Sequence, residues 1–184
     1  MPEELLEPFF RKLRVGLVLQ HLDKDTTLCD LGCGSGSFLR SVSGDIRAGY
    51  GFDKKAEEET FGNITIKNSF IDGKVPLETG SMDCVTLIAV LEHLDRPEDV
   101  LGECYRIVKN RGKILITTPS PASKPILEFL SYRLKIVSPV EIRDHKHYYS
   151  RSELKTILEE CGFTGVQVRS FEFGLNNFAI GHKQ

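Results

Sequence analysis

The stretch Leu28-Cys29-Asp30-Leu31-Gly32-Cys33-Gly34-Ser35-Gly36-Ser37-Phe38-Leu39 constrains the fold of this chain more than any other. Its apolar opening, Leu28, Cys29 and Leu31, suits the end of a buried parallel strand. Three glycines then alternate with small residues, and Ser37-Phe38-Leu39 starts a helical pattern. Strand, glycine turn and helix together form a unit that cradles a nucleotide. Glycine accepts positive φ and lets a ligand press against bare backbone, and the helix beyond offers unpaired N–H groups at its positive dipole end.

The spacing narrows the ligand. A dinucleotide fingerprint reads G-x-G-x-x-G, but here the glycines stand at 32, 34 and 36, and position 37 is Ser. Asp30 lies two residues before the first glycine. A carboxylate there repels a pyrophosphate and attracts a ligand amino group. A second acid, Asp53, closes the apolar run 46–52, 17 residues beyond Gly36. Its two oxygens can accept hydrogen bonds from both hydroxyls of a ribose. The alternative for Asp53 is a surface cap of the next helix, with Lys54, Lys55 and Glu57 to Glu59 as a solvated face.

The rest of the chain supplies a sheet. Apolar runs predict strands over 26–31, 46–52, 63–66, 83–89 and 113–118. Helices are predicted over 36–43 and 97–109, the second opening on Pro97, Glu98 and Asp99. Ser150-Arg151-Ser152-Glu153 has the spacing of a capping box, so a helix runs from there to Cys161 and Gly162 ends it. Residues 165–173 and 176–181 read as an antiparallel pair. Leu5, Leu6, Phe9, Phe10, Leu13, Leu17 and Val18 predict one or two helices over 3–22, interrupted at Pro8, and residues 1–25 form an N-terminal helical cap. Prolines at 119, 121, 125 and 139 interrupt 119–149, where a helix over 126–136 is expected. That segment follows the fifth strand, above the carboxyl ends where open α/β sheets bind ligands, and reads as a substrate-side insertion.

Two motifs give the chain a family resemblance. The pattern D-x-G-x-G-x-G over 30–36 resembles motif I of the class I S-adenosylmethionine-dependent methyltransferases. The run P-L-x-x-G-S-M-D-x-V-x-L-x-x-V-L-E-H-L over 76–94 is similar to the region after strand four in their small-molecule branch, the ubiquinone-biosynthesis type or methyltransferase type 11. N-R-G-K-I-L-I-T-T-P over 110–119 matches the same branch, so the resemblance covers about residues 26–120. It implies S-adenosylmethionine as the cofactor. It also implies a doubly wound, Rossmann-like α/β fold: a seven-stranded, mostly parallel sheet with a C-terminal antiparallel strand, in a single domain over 1–184. The loop Asp30, Gly32, Cys33, Gly34, Ser35 and Gly36 would hold the methionyl end, Asp53 the ribose, and Ile88, Ala89 and Val90 would flank the cofactor. Many relatives place an acid against the adenine amino group. This chain offers Ser69 and Phe70 there, with Asp72 slightly later, and Phe70 reads equally as ring contact or core.

Methyl transfer from a sulfonium is an in-line displacement with an activated leaving group, so alignment and water exclusion dominate. An acceptor that must lose a proton also needs a base. His93, His145 and His147 are the catalytic candidates, with Glu92 beside them. His145 and His147 lack a clear third partner, and no metal is expected.

Composition excludes several classes. The net charge of −2 advertises neither nucleic acid nor an anionic membrane. No [DNS]-P-P-[YF] amine clamp and no Pro-Cys pair occur. Five cysteines, an odd number with no C-x-x-C, read as reduced thiols in a cytoplasmic protein. The acidic start is unlike a signal peptide, and no run approaches the ~20 apolar residues of a membrane span. The expected reaction is methyl transfer to a small-molecule or lipid-like acceptor. The alternatives are a non-catalytic cofactor-binding subunit of a partner complex and, disfavoured by Asp30 and the early third glycine, a nicotinamide oxidoreductase. The sequence carries no signal of oligomeric state.

Overall fold

A computed structural model describes residues 3–126 and 145–184, with residues 3–10 as backbone only. The side chains of Leu5, Leu6, Phe9 and Phe10 therefore lie outside the description. So does the helix expected over 126–136, beyond its first residue, together with Pro139, Arg143 and Asp144.

The chain opens with α1 (Glu3–Leu19). It is one continuous helix, where the sequence suggested a break at Pro8. Proline so near the helix start forfeits little more than the bond to the Glu4 carbonyl. There follow β1 (Thr27–Leu31), α2 (Ser37–Val42), β2 (Ala48–Asp53), β3 (Glu59–Phe61), β4 (Ile64–Asn68) and β5 (Met82–Ile88). A 3-10 turn over Leu91–His93 leads to α3 (Pro97–Ile107) and β6 (Val108–Pro119). After the insertion come α4 (Arg151–Glu160), β7 (Thr164–Phe171) and β8 (Asn176–His182). The capping box at Ser150 is formed in both directions: Glu153 N donates to Ser150 Oγ at 3.2 Å, and Ser150 N donates to Glu153 Oε2 at 2.8 Å.

The strands form one sheet in the order β3-β4-β2-β1-β5-β6-β8-β7. The five strands from β4 to β6 run parallel, and β8 is antiparallel to both β6 and β7. Among the described residues the sheet has eight strands, one more than expected. The extra strand is β3, antiparallel to β4, from residues that the sequence presented as a solvated acidic face. Arg40 reaches it from α2, pairing with Glu59 and lying 4.1 Å over the Phe61 ring. The fifth parallel strand also starts earlier than residue 113. Val108 pairs with Met82 and Lys113 with Cys84, so residues 109–112 bulge out of register.

Both faces are covered. On one, α3 and α4 bury Leu101, Ile107, Leu154 and Leu158 against Leu31, Leu87 and Ile116. On the other, α1 and α2 bury Val18, Phe38 and Leu39 against Leu28, Ile64 and Leu115. Neighbours such as Leu115 and Ile116 point to opposite faces, which is why the parallel strands read as unbroken apolar runs. The chain winds outward from β1 through β2, and from β5 in the other direction. The crevice at the carboxyl ends of β1 and β5 is therefore the topological switch point, where such sheets bind ligands.

Candidate functional site

The glycine loop leaves β1 at that switch point. Gly32, Gly34 and Gly36 all have left-handed φ, of 77°, 54° and 73°. A Cβ on Gly36 would lie 2.0 Å from Ile66 Cδ1, and one on Gly32 would lie 2.4 Å from Val90 Cγ2. These two glycines are closed in by protein. Gly34 is different: among the described residues its open side meets no heavy atom within 4 Å. The loop thus presents bare backbone at its centre. Beyond it, Ser35 is exposed, and Ser37 Oγ is buried with no hydrogen-bond partner among the described residues.

Asp53 is locked onto this loop. Gly34 N donates to its Oδ2 at 3.0 Å, and Lys55 N donates to Oδ1 at 2.7 Å. Each oxygen retains a second lone pair for a ligand hydroxyl. The two amides fix the carboxylate at the end of β2, which is more than a surface cap would need. Ser69 N donates to the Asp53 carbonyl at 3.1 Å, which brings Ser69 and Phe70 to the same rim. Phe70 is 69% exposed, so the core reading of this ring is excluded.

Asp30 sits deeper than its motif suggests. It is 3% exposed, and Thr86 Oγ1 on β5 donates to its Oδ1 at 2.6 Å. Burial pushes its carboxyl up to about 7, against the Thr86 bond and the field of Arg11 from α1. The Cys33 side chain also turns inward: a Cβ on Gly51 would lie 2.8 Å from its Sγ. Burial raises that thiol to about 12, so Cys33 offers the site its backbone and no nucleophile.

After β5 the backbone makes a strained turn. Ala89 has φ 55°, uncommon for a residue with a side chain, and its amide bonds the Thr117 carbonyl at 2.9 Å. This turn, with Ile88 half-buried before it, lays Val90 against Gly32. His93 N then bonds the Val90 carbonyl at 2.9 Å, so His93 lies one 3-10 turn beyond the residue packed on the glycine loop.

Here the structure brings distant residues together. The His93 and His145 ring centroids are 4.8 Å apart, edge to face. Glu92, His93 and His145 each turn one carboxylate or imidazole atom into a space where all lie within 4.8 Å of one another. Such a group can share a proton or hold a cation; it joins His145 to Glu92 and His93 and leaves out His147, the residue with which the sequence paired it. Glu92 is 1% exposed and accepts from Thr118 Oγ1 at 3.1 Å. Burial raises its carboxyl, opposed by the charges of His93 and of Arg14 on α1. His147 goes elsewhere. Its exposed ring packs on Tyr149, centroids 4.4 Å apart, and its Nε2 stands 3.7 Å from Glu153.

Sequence reasoning missed Thr86, Thr118 and Tyr148, the partners of Asp30, Glu92 and His145. The first two had a signal. A hydroxyl in an apolar parallel strand is buried and must find a partner. Arg11 and Arg14 were hidden in a helix read for its apolar stripe alone.

Comparison with known proteins agrees with this architecture. Residues 4–168 match the family described as a methyltransferase domain. Among curated relatives, the ubiquinone biosynthesis O-methyltransferase of Vibrio parahaemolyticus is 26% identical over 186 residues, covering 89% of this chain and 79% of the relative. A chain from the complex between the Haloferax volcanii Trm112 methyltransferase activator and its methyltransferase superposes with a TM-score of 0.77 at 16% identity, covering 98% of this chain and 92% of that one. An S-adenosylmethionine-dependent methyltransferase from Archaeoglobus fulgidus gives 0.71 at 20% identity, with 98% and 94% covered. These structural likenesses are of fold. The chain belongs to the methyltransferase-domain family. It is a class I S-adenosylmethionine-dependent methyltransferase, and S-adenosylmethionine is its cofactor. Among the described residues, no helix is long and apolar enough to cross a membrane.

Proposed function

We propose that this enzyme methylates a small-molecule or lipid-like acceptor, with the glycine loop and Asp53 holding the cofactor and the turn after β5 presenting the acceptor. The observation that carries this reading is the Gly34–Asp53 bond at the switch point, one 3-10 turn from the His93–His145 pair. The residues suit the cofactor. The open face of Gly34 accepts the methionyl portion, the amide-fixed Asp53 takes the two ribose hydroxyls, and Ser69 and exposed Phe70 reach the adenine edge. Asp30 faces the amino group once ionised. When bound, S-adenosylmethionine supplies an electrophilic methyl on a cationic leaving group. The protein aligns the acceptor, excludes water and takes up any proton released. The whole chain acts as one domain, and five free thiols support a reducing, cytosolic setting.

Isothermal calorimetry tests the cofactor site. S-adenosylmethionine binds the wild type, and Asp53→Ala weakens binding by roughly 100-fold, as expected for two charge-assisted hydrogen bonds. If neither the cofactor nor its demethylated product binds, the reading is wrong. A second reading, a cofactor-binding subunit of a partner complex, draws support from the likeness to the Trm112-associated chain. Light scattering of the purified chain separates the two. A stable, active monomer removes the second, and aggregation relieved by a co-purifying subunit favours it.

A further inference from the structure

His21 follows the last turn of α1, with its amide bonded to the Val18 carbonyl at 3.0 Å. Its half-buried ring stacks on Phe178 of β8, centroids 5.0 Å apart and planes at 26°. Its Nε2 stands 3.2 Å from Arg169 Nη2 on β7, the edge strand of the sheet. Arg169 also lies over the Phe178 ring, 5.3 Å from its centroid. A guanidinium only donates hydrogen bonds. Nε2 therefore accepts, which leaves the ring proton on Nδ1 and the imidazole neutral. The bond joins residues 148 positions apart, and it ties the segment after α1 to the final hairpin.

The charges around this ring are mostly cationic. Arg169 acts on it from β7 and Lys113 from β6. Asp23, two residues on, is 80% exposed and is paired with Lys113 at 2.5 Å. Phe178 brings no charge from β8. A proton on Nε2 removes the lone pair that holds Arg169 and sets two positive groups side by side. The Phe178 face favours an imidazolium, but it offsets only part of a lost charge-assisted bond and two like charges. Burial holds the His21 imidazole below its ordinary value of 6.5, and the charges of Arg169 and then Lys113 act in the same direction.

We propose that the His21–Arg169 bond is a proton-operated latch. Closed while the imidazole is neutral, it pins the C-terminal end of α1 to the β7–β8 hairpin, and protonation of Nε2 releases it. The latched helix is the one whose Arg11 and Arg14 act on Asp30 and Glu92. The sign follows from the two states. The opened segment carries an imidazole of ordinary value, higher than the closed one, so opening takes up a proton. The latch is fully closed above about 6.5 and weakens as pH falls through that value and then through the closed-state one. Asp30 titrates with the opposite sign, so a loss of local protection in acid is not its signature.

The test uses the full chain. Hydrogen exchange, corrected for its intrinsic pH dependence, reads the amides of His21 and Leu22, bonded to the Val18 and Leu19 carbonyls at 3.0 and 3.3 Å. Their protection falls by ~3-fold or more between about pH 7.5 and about pH 5.5, while amides of β1 and β5 hold theirs. His21→Gln supplies an amide oxygen to Arg169 and cannot titrate, so protection of the same amides stays level with pH. A level profile in wild type, an equal slope in His21→Gln, or a parallel loss across the sheet overturns the inference.

Long-range 15N–1H correlation spectra give a second readout. His21, assigned by its loss in His21→Gln, shows Nδ1–H at neutral pH and titrates below 6.5. Arg169→Met removes the donor and the charge and keeps an apolar cover on Phe178, so the midpoint rises towards 6.5. Nε2–H in the wild type, or a midpoint that Arg169→Met leaves unmoved, overturns the inference.

Discussion

The Asp30 carboxyl titrates near 7 because it is sealed between β1 and β5 with one hydroxyl partner. The cofactor-free protein therefore holds a proton that the unfolded chain, with an ordinary carboxyl near 3.8, has released. Because the folded-state value is the higher one, this group's contribution is fully present below the unfolded value and is lost as pH climbs through about 7. Asp30→Asn keeps the acceptor for Thr86 and removes the titration. As pH rises from about 4 to about 7 the variant gains stability relative to wild type, by about 4 kcal/mol as an upper bound, the equivalent of a roughly thousandfold difference in proton affinity between the folded and unfolded chain. Urea melts at several pH values measure this. A parallel slope in both proteins would show that Asp30 is charged in the folded state. Cofactor binding runs the other way, since a ligand ammonium wants the ionised form, and affinity rises with pH through the same range in wild type alone.

At the scale of elements, the glycine loop divides into support and contact. Gly36 has Ile66 where a Cβ would go, and its φ is left-handed, so Gly36→Ala costs roughly 1–3 kcal/mol of stability. Gly34→Ala bears the φ penalty of about 1 kcal/mol without a clash, and its methyl projects into the open face. We expect Gly34→Ala to fold with a slightly lowered melting temperature and to bind S-adenosylmethionine at least ~10-fold more weakly, read by calorimetry and thermal melts. Equal cofactor affinity in Gly34→Ala and wild type would remove the ligand from that face.

This division was only half visible in the amino-acid order. Glycine spacing, the acids at 30 and 53, the capping box and the antiparallel C-terminal pair are local patterns, and each forms where the sequence places it. Strand β3 was not legible, because Glu59-Thr60-Phe61 becomes a strand only through its pairing with β4 and the Arg40 contact. The His93–His145 meeting was equally hidden. It joins residues 52 positions apart through a backbone bond to the Glu92 carbonyl, and no period or spacing encodes such a bond. His145 and His147 read as equivalent neighbours two apart, yet Glu153 and Tyr149 draw His147 to another surface.

Across the whole molecule, the two ends of the insertion are tied to the sheet independently. Ser120 N bonds the Leu175 carbonyl at 2.8 Å, and its hydroxyl bonds Gly174 O at 2.5 Å. At the far end Asn177, 1% exposed, holds the Tyr149 carbonyl and accepts from Ser170 Oγ at 2.9 Å. Asn177→Ala strands that carbonyl and should cost about 1–3 kcal/mol. Hydrogen exchange should quicken at residues 145–150 while amides of the glycine loop keep their protection, because the two regions share no hydrogen bond that passes through Asn177. Uniform acceleration over both would mean that the sheet opens as one unit.

Strand β8 lies between β6 and β7, although both precede it in the chain. While the polypeptide emerges from a ribosome, β6 has a bare edge and β7 has no partner until residues 176–182 follow. The segments around Ser120 and Tyr149 depend on that late arrival, since Asn177 of β8 pins Tyr149 and Leu175 receives Ser120. The glycine loop rests on β1, β2, β4 and β5, all made earlier. A nascent chain can thus shape its glycine loop well before the segments around Ser120 and Tyr149 are tied down. Its exposed β6 edge is meanwhile the surface on which a chaperone or an unwanted second strand would act.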